Sequence, residues 1–95
     1  MNKKLISKLK ELKPIIKERY GVDRLAVFGS QARSDYSSQS DIDIVIFSMK
    51  TKSFDLFMDL KYFLEKQLDK KVDLGFYSSM KNFIKQEIDK DMIYV

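Results

Sequence analysis

Two aspartates placed two residues apart, Asp41 and Asp43, are the residues whose type and spacing best suit chemistry. They lie in the alternating segment SDIDIVIF, residues 40–47, which is typical of a strand with one apolar face. Side chains two apart along a strand share a face, with Cα atoms roughly 6 to 7 Å apart. Two carboxylates this close repel each other unless a cation neutralises them. The pair therefore suits a divalent metal ion, although two acids on the solvent face of an edge strand would show the same pattern.

A Gly-Ser pair, Gly29 and Ser30, ends an apolar run ten residues before the first of these aspartates. Glycine lets the backbone approach a ligand closely, and free amides at a helix N-terminus attract anions. The pair is therefore a candidate phosphate site. The commoner use of Gly-Ser at a strand end is a turn, and we predict that Ser30 is the N-cap of a short helix that begins with residues 31–33.

A third acid, Asp73, lies on the polar face of a later predicted strand that should neighbour the strand of Asp41 and Asp43. Three carboxylates on one face are costly without a cation, since each raises the pKa of the others. The chain has no histidine and no cysteine, so the ligands of any metal must be oxygens. This favours magnesium or manganese over zinc, and two magnesium ions would neutralise the three acids.

Apolar spacing divides the chain into alternating helices and strands. We predict a helix over residues 2–20 that Pro14 kinks or breaks and Gly21 ends, strands over 24–28, 41–47 and 71–77, a polar loop over 34–40, a helix over 53–69, a last helix that includes Met80, Phe83, Ile84 and Ile88, and a brief edge strand over 92–95. A strand-helix-strand unit over residues 41–77 is typical of parallel strands, whereas the pair within residues 25–47 could be antiparallel. The expected fold class is α/β (α+β), a small mixed β-sheet flanked by helices.

The size and composition of the chain limit the classes of function. With 95 residues, the chain is predicted to be a single domain over 1–95, without room for a second substrate-binding domain. No apolar stretch approaches the ~20 residues needed to span a membrane, and the lysine-interrupted N-terminus is unlike a signal peptide. The absence of cysteine fits a reducing cytoplasm. The mild net charge of +4 comes from scattered lysines, so we expect a solvated surface and do not expect direct nucleic-acid binding.

The whole pattern resembles a known superfamily. Gly29-Ser30, ten residues, Asp41-x-Asp43 and a later strand with Asp73 are similar to the nucleotidyltransferases that include DNA polymerase beta. The strings GSQAR, SDIDI and KVDLGF resemble in particular the minimal nucleotidyltransferases, which are encoded beside HEPN-domain partners in prokaryotic toxin-antitoxin pairs. The resemblance extends from the first helix to the final IYV.

The resemblance implies roles for individual residues. Gly29 and Ser30 would hold the triphosphate of a nucleotide, Asp41 and Asp43 would ligate two Mg2+ ions, and Asp73 would bind the ion that activates the attacking hydroxyl. These ions would stabilise the attacking and leaving oxygens during the in-line displacement of pyrophosphate.

Arg33 and Ser40 also match the motifs, and each of them has two interpretations. Arg33 is the arginine of the GSxAR string, and it either contacts phosphate or, partly buried, ties the short helix to an acid. Ser40 either touches the nucleotide or ends the loop. The chain also departs from many relatives at Ser34, where they have glycine, and at Leu74-Gly75 after the third acid, where a bulkier apolar residue is expected.

The resemblance implies a Mg-dependent enzyme that transfers AMP from ATP to a tyrosine hydroxyl of a cognate HEPN toxin, an RNase that the modification silences. The chain would then be a cytoplasmic antitoxin. Whether it forms a hetero-oligomer with the toxin is left open. One alternative is a binding module that neutralises the toxin by occlusion. A third function, nucleotidyl transfer to RNA or to a small molecule, would need a substrate platform that the sequence does not reveal.

Overall fold

The segments with helical spacing form helices, and those with alternating spacing form strands. The computed structural model describes residues 1–33, 35–37 and 39–95. In chain order the elements are helix α1 (Lys3–Tyr20), strand β1 (Val22–Phe28), a 3-10 turn (Gly29–Gln31), strand β2 (Ile42–Met49), helix α2 (Phe54–Leu68), strand β3 (Val72–Phe76), a second 3-10 turn (Tyr77–Ser79), helix α3 (Asn82–Asp91) and strand β4 (Ile93–Tyr94). The predicted order of the helices and strands is confirmed, with small shifts of their ends.

The strands form one mixed sheet in the order β3-β2-β1-β4. Strand β1 runs antiparallel to both β2 and β4, and β2 runs parallel to β3. The parallel pair is joined through α2, because parallel neighbours need a crossover connection rather than a tight turn. Both predicted strand pairings and the brief edge strand are confirmed.

Helix α1 is held by a cap at each end. The Asn2 side chain accepts a hydrogen bond from the backbone at the N-terminus, and Gly21 ends the helix in the left-handed region at φ +69°. Pro14 lies inside the helix, which runs unbroken, so the predicted break is wrong. Proline removes a single backbone hydrogen bond, and Leu12 and Ile16 are buried on either side of it. No helix in the described ranges is long and apolar enough to cross a membrane.

Two apolar clusters pack on opposite faces of the sheet. The larger one lies under α1 and α2 and includes the alternating residues Ile42, Ile44 and Ile46 of β2. The smaller one joins Ala26, Val45 and Ile88. Val45 shares the face of the β2 acids, as predicted, but α3 buries it. The acids on this face of the sheet therefore lie at the starts of β2 and β3, beyond the apolar cluster under α3.

We expect Ile88→Ala to lower the free energy of unfolding by about 2–5 kcal/mol, because Ile88 is fully buried between α3 and the sheet. Phe83→Ala on the same helix is the matched control. Phe83 is 62% exposed, so its removal should cost far less. Urea unfolding of both variants measures the difference, and equal losses would contradict this account of how α3 packs.

Candidate active site

Three strand ends meet at one edge of the sheet. Because β1 is antiparallel to β2, the end of β1 lies beside the start of β2, and Phe28 pairs with Asp43. Because β3 is parallel to β2, its start lies on the other side, and Asp43 pairs with Asp73. The topology thus brings together the Gly-Ser pair and the acids, which are far apart in the sequence.

Gly29 contacts the carboxylate of Asp43. Its φ is +71°, in the left-handed region that favours glycine. A Cβ atom built on Gly29 would collide with Oδ2 of Asp43 and would lie 3.4 Å from its Cγ atom. Two independent reasons, backbone conformation and lack of space, therefore require glycine next to the central acid.

The turn that follows differs from the prediction. Gly29–Gln31 is a single 3-10 turn, and its capping position is occupied by Phe28, so Ser30 lies inside the turn and the predicted serine N-cap is wrong. The carbonyl oxygen of Gly29 accepts hydrogen bonds from the amides of Ala32 and Arg33, both at 3.1 Å. The tight turn forms because the chain must reverse away from β2 immediately after its closest approach to Asp43.

Asp43 is the electrostatic centre of the site. Its side chain is partly buried, whereas Asp41 and Asp73 are exposed. Burial is the main cause that raises the pKa of Asp43 above its ordinary value, and the charges of Asp73 and Asp41 raise it further. The charge of Arg33 acts in the opposite direction. The site therefore holds negative charge at a free-energy cost, which a bound cation would offset.

The donor types at this edge fit a hard divalent cation. The three aspartates offer only carboxylate oxygens, which are the ligands that Mg2+ prefers. Within the described ranges, however, no group of three or more acidic side chains is arranged so that it could hold a metal ion. The exposed side chains of Asp41 and Asp73 would have to rotate toward the buried one to share an ion.

Arg33 ties the loop to two acids. Its Nε and Nη2 atoms donate to the two carboxylate oxygens of Asp35 at 3.1 and 3.3 Å, and Nη1 donates to Asp91 of α3 at 3.4 Å. The hydrogen bonds to Asp35 are the main cause that raises the pKa of Arg33. The interpretation as an arginine that ties this segment to an acid is supported, but the side chain is 45% exposed rather than buried.

Ser40 ends the loop before β2. Its hydroxyl accepts a hydrogen bond from the amide of Ser37 at 2.8 Å, and its own amide donates to the carbonyl of Ser37 at 3.1 Å. These bonds close a local turn and support the interpretation of Ser40 as a loop end. The predicted loop over residues 34–40 also contains Ser34 and Ser38, which lie outside the described residues.

The sequence interpretation missed Gln31. It is the buried polar residue of the described core, with an exposed fraction of 0%, although it lies within the GSQAR string. One signal in the sequence could have drawn attention to it. Gln31 lies inside a motif, and its side-chain amide carries both hydrogen-bond donors and an acceptor. Its burial depends on the N-terminus of α1, which covers it in the folded chain.

Gly29→Ala should destabilise the protein by at least about 1–2 kcal/mol, the cost of a left-handed conformation for a residue with a Cβ atom. Displacement of Asp43 should add to that cost. Gly75→Ala is the matched control, because a Cβ atom there meets only the flexible end of Met80 at 3.0 Å. Urea unfolding measures both, and a Gly29→Ala variant as stable as Gly75→Ala would refute the proposed constraint.

Asp43→Asn should make the metal-free protein more stable at pH 7. The folded state holds the Asp43 proton more tightly than the unfolded chain, so the wild type loses stability as pH rises from the ordinary pKa of 3.8 through the raised folded pKa. The gain in the variant should thus be absent below the ordinary value and complete above the folded pKa. Thermal unfolding across this range measures it, with Asp59→Asn, an exposed acid on α2, as the control. A gain that is independent of pH would count against charge as the cause.

Comparisons with known proteins identify the family. A family model described as a nucleotidyltransferase domain matches residues 9–95. A Methanocaldococcus jannaschii protein, provisionally named a protein adenylyltransferase, is 40% identical over 97 residues, which cover 97% of this chain and 99% of the relative. The protein adenylyltransferase MntA of Thermococcus cleftensis is 35% identical over 80 residues, which cover 84% of this chain and 81% of the relative.

Solved structures show the same fold. A protein provisionally described as a minimal nucleotidyltransferase superposes with a TM-score of 0.79 at 24% identity, covering 98% of this chain and 95% of that one. A toxin-antitoxin structure with AMP-PNP superposes with a TM-score of 0.75 at 22% identity, covering 93% of this chain and 69% of that one. The resemblance inferred from the sequence and the predicted fold are both confirmed. This chain belongs to the nucleotidyltransferase family.

Proposed function

We propose that this nucleotidyltransferase transfers AMP from ATP to a tyrosine hydroxyl of a cognate HEPN-domain toxin, and thereby acts as a cytoplasmic antitoxin. The observation that carries the proposal is the meeting of Gly29, Asp43 and Asp73 at one sheet edge. The names of relatives as protein adenylyltransferases support the reaction. Structural neighbours that are MntA-HepT toxin-antitoxin complexes support the partner.

The three aspartates would hold two Mg2+ ions. Asp43 contributes a partly buried carboxylate whose charge is already disfavoured, so it gains most from a cation. Asp41, two residues earlier in the chain, and Asp73, opposite Asp43 on β3, are exposed, and both would turn toward a shared ion. When bound, Mg2+ would supply activation of the acceptor oxygen and neutralisation of the phosphate charge.

The Gly-Ser turn would hold the triphosphate. Gly29 has no side chain between the backbone and the acids, so phosphate groups can come close to the turn. Ser30 offers a hydroxyl beside it. Arg33 lies near enough to lower the pKa of Asp43, so it could also compensate phosphate charge after leaving Asp35 or Asp91. Ser40 would act through the shape of the loop that it closes.

The exposure of the acids supports a macromolecular acceptor. Asp41 and Asp73 lie at an open edge of the sheet rather than in an enclosed cavity. A tyrosine on the surface of a protein could reach such an edge. Its hydroxyl oxygen would form a bond to the α-phosphorus of ATP, the bond from that phosphorus to the leaving oxygen would break, pyrophosphate would leave, and the hydroxyl proton would pass to solvent.

A second function, neutralisation by binding alone, has one observation in its favour. Several aromatic side chains are strongly exposed, namely Phe54 at 76%, Phe83 at 62% and Tyr62 at 58%. Exposed aromatic residues are common contact points between proteins. In this case the modification would be dispensable for the antitoxin effect.

Incubation of the chain with the HEPN protein encoded beside it, labelled ATP and Mg2+ should transfer label to that protein. Asp41→Asn and Asp43→Asn should each lower the rate on the order of a hundredfold or more, since even outer-shell partners of metal sites contribute about 10–100-fold. Asp59→Asn should retain the rate of the wild type. Mass spectrometry of the labelled protein identifies the acceptor residue.

Absence of label on the neighbour, or equal label with the aspartate variants, would contradict the proposal. Protection of cells distinguishes the second function. If the Asp41→Asn, Asp43→Asn double variant still protects cells from the toxin, binding is sufficient and transfer is not the cause.

A further inference from the structure

Gln31 is fully buried, and its side-chain amide has partners on two sides. Its Oε1 atom accepts a hydrogen bond from Nδ2 of Asn2 at 2.8 Å. Its Nε2 atom donates to the backbone carbonyls of Ser40 and Asp41, each at 3.4 Å. Burial of an amide is costly unless its donors and acceptor are paired, so these contacts specify where the side chain lies.

These partners belong to separate parts of the site. Gln31 is the last residue of the turn that begins at Gly29, whereas Asp41 is the first acid of the pair before β2. The backbone of Gln31 is anchored as well, since its carbonyl accepts a hydrogen bond from the amide of Asn2 at 2.9 Å. Asn2 in turn caps α1 through Leu5 at 3.2 Å. The helix start, the Gly-Ser turn and the acidic segment are therefore joined through one side chain.

Asp41 needs such a support more than its neighbours. It lies one residue before β2 begins at Ile42, and its side chain is exposed. The peptide unit between Asp41 and Ile42 is held on one side by the amide of Ile42, which donates to the carbonyl of Lys71 at 3.0 Å, and on the other side by Gln31. Asp43, in contrast, is held by strand pairing and by its contact with Gly29. The hydrogen bond from Gln31 restrains the carbonyl of Asp41 directly.

We propose that Gln31 is a positioning residue, which fixes the backbone of Asp41 relative to the Gly-Ser turn so that Asp41 and Asp43 can act on the same nucleotide. The expected effect of Gln31 on catalysis rests on the proposed function, whereas its restraint of the Asp41 backbone does not. A polar residue is needed because two carbonyl oxygens must be met by a donor that reaches them from inside the fold.

The choice of variants follows from the surroundings of Gln31. It forms part of the wall of a cavity of about 350 Å3 that is also lined by Leu5, Ile42 and Leu68. Gln31→Ala would enlarge this cavity, and water could then replace the amide. Gln31→Met keeps the length but has no N–H donor, and Gln31→Glu keeps an acceptor for Asn2 while it removes the donor to Asp41.

The matched control is Asn2→Ser, which keeps an oxygen that can cap α1 but removes the amide donor to Oε1 of Gln31. It disturbs the same side chain from the other side and leaves the donor to Asp41 in place. We expect Gln31→Met and Gln31→Glu to lower kcat by about tenfold or more at saturating ATP, as for other supporting residues. KM for ATP should stay within about threefold, because the Gly-Ser turn is unchanged. Asn2→Ser should keep kcat within about threefold of the wild type.

A second measurement does not depend on activity. In 15N-labelled protein, the amide signals of Asp41 and Ile42 should shift in both Gln31 variants and shift much less in Asn2→Ser. Thermal unfolding of each variant sets an assay temperature at which all are folded. Unchanged amide signals in the Gln31 variants would overturn the inference, as would a kcat retained by those variants or lost equally in Asn2→Ser.

The two proposals fail in different ways. If the wild type transfers no nucleotide to the neighbouring protein, the proposed function is wrong, and the amide signals alone decide whether Gln31 restrains Asp41. If the wild type is active but the Gln31 variants match it, the positioning role is wrong and the proposed function stands.

Discussion

The contact between Gly29 and the carboxylate of Asp43 is the constraint on which the site depends. It requires the end of β1 to lie beside the start of β2, which the antiparallel pairing of Phe28 with Asp43 provides. It also requires a residue without a Cβ atom in a left-handed conformation. Asp43, which makes this contact, is partly buried, and burial is the main cause of its raised pKa. Backbone geometry and electrostatics are therefore linked at the same residue.

The two faces of the sheet differ in role, because one stabilises the fold and the other carries the candidate active site. One face is covered by α1 and α2 and supplies most of the buried apolar residues. The other is covered by α3 around a smaller cluster, in which Ala26, Val45 and Ile88 are buried. This partial cover leaves the starts of β2 and β3 open to solvent. The acids there can therefore be exposed while the apolar residues of the core stay buried. Apolar packing on the face under α1 and α2 stabilises the fold. It offsets the repulsion between the aspartates on the opposite face, which disfavours the folded state.

Much of the fold could be predicted from the sequence because each element has a local cause. The spacing of Ile42, Ile44 and Ile46 marks a strand with one buried face, and Gly21 marks the end of a helix whatever packs against it. Pro14 shows the limit of local reasoning. The break that it suggested does not occur, because packing on both sides of the proline outweighs the loss of one hydrogen bond.

The sequence by itself determined the chemistry that is available at the site: oxygen ligands only, two acids on one face of a strand, and a glycine where the backbone approaches them. The tertiary structure decided which of these groups meet. Strand pairing placed Asp73 beside Asp43, and the end of α1 buried Gln31. It also gave Arg33 a partner, Asp91, that lies 58 residues away. Residue type and short spacing are properties of the local chain, whereas burial and pairing across the sheet arise only when distant segments pack together.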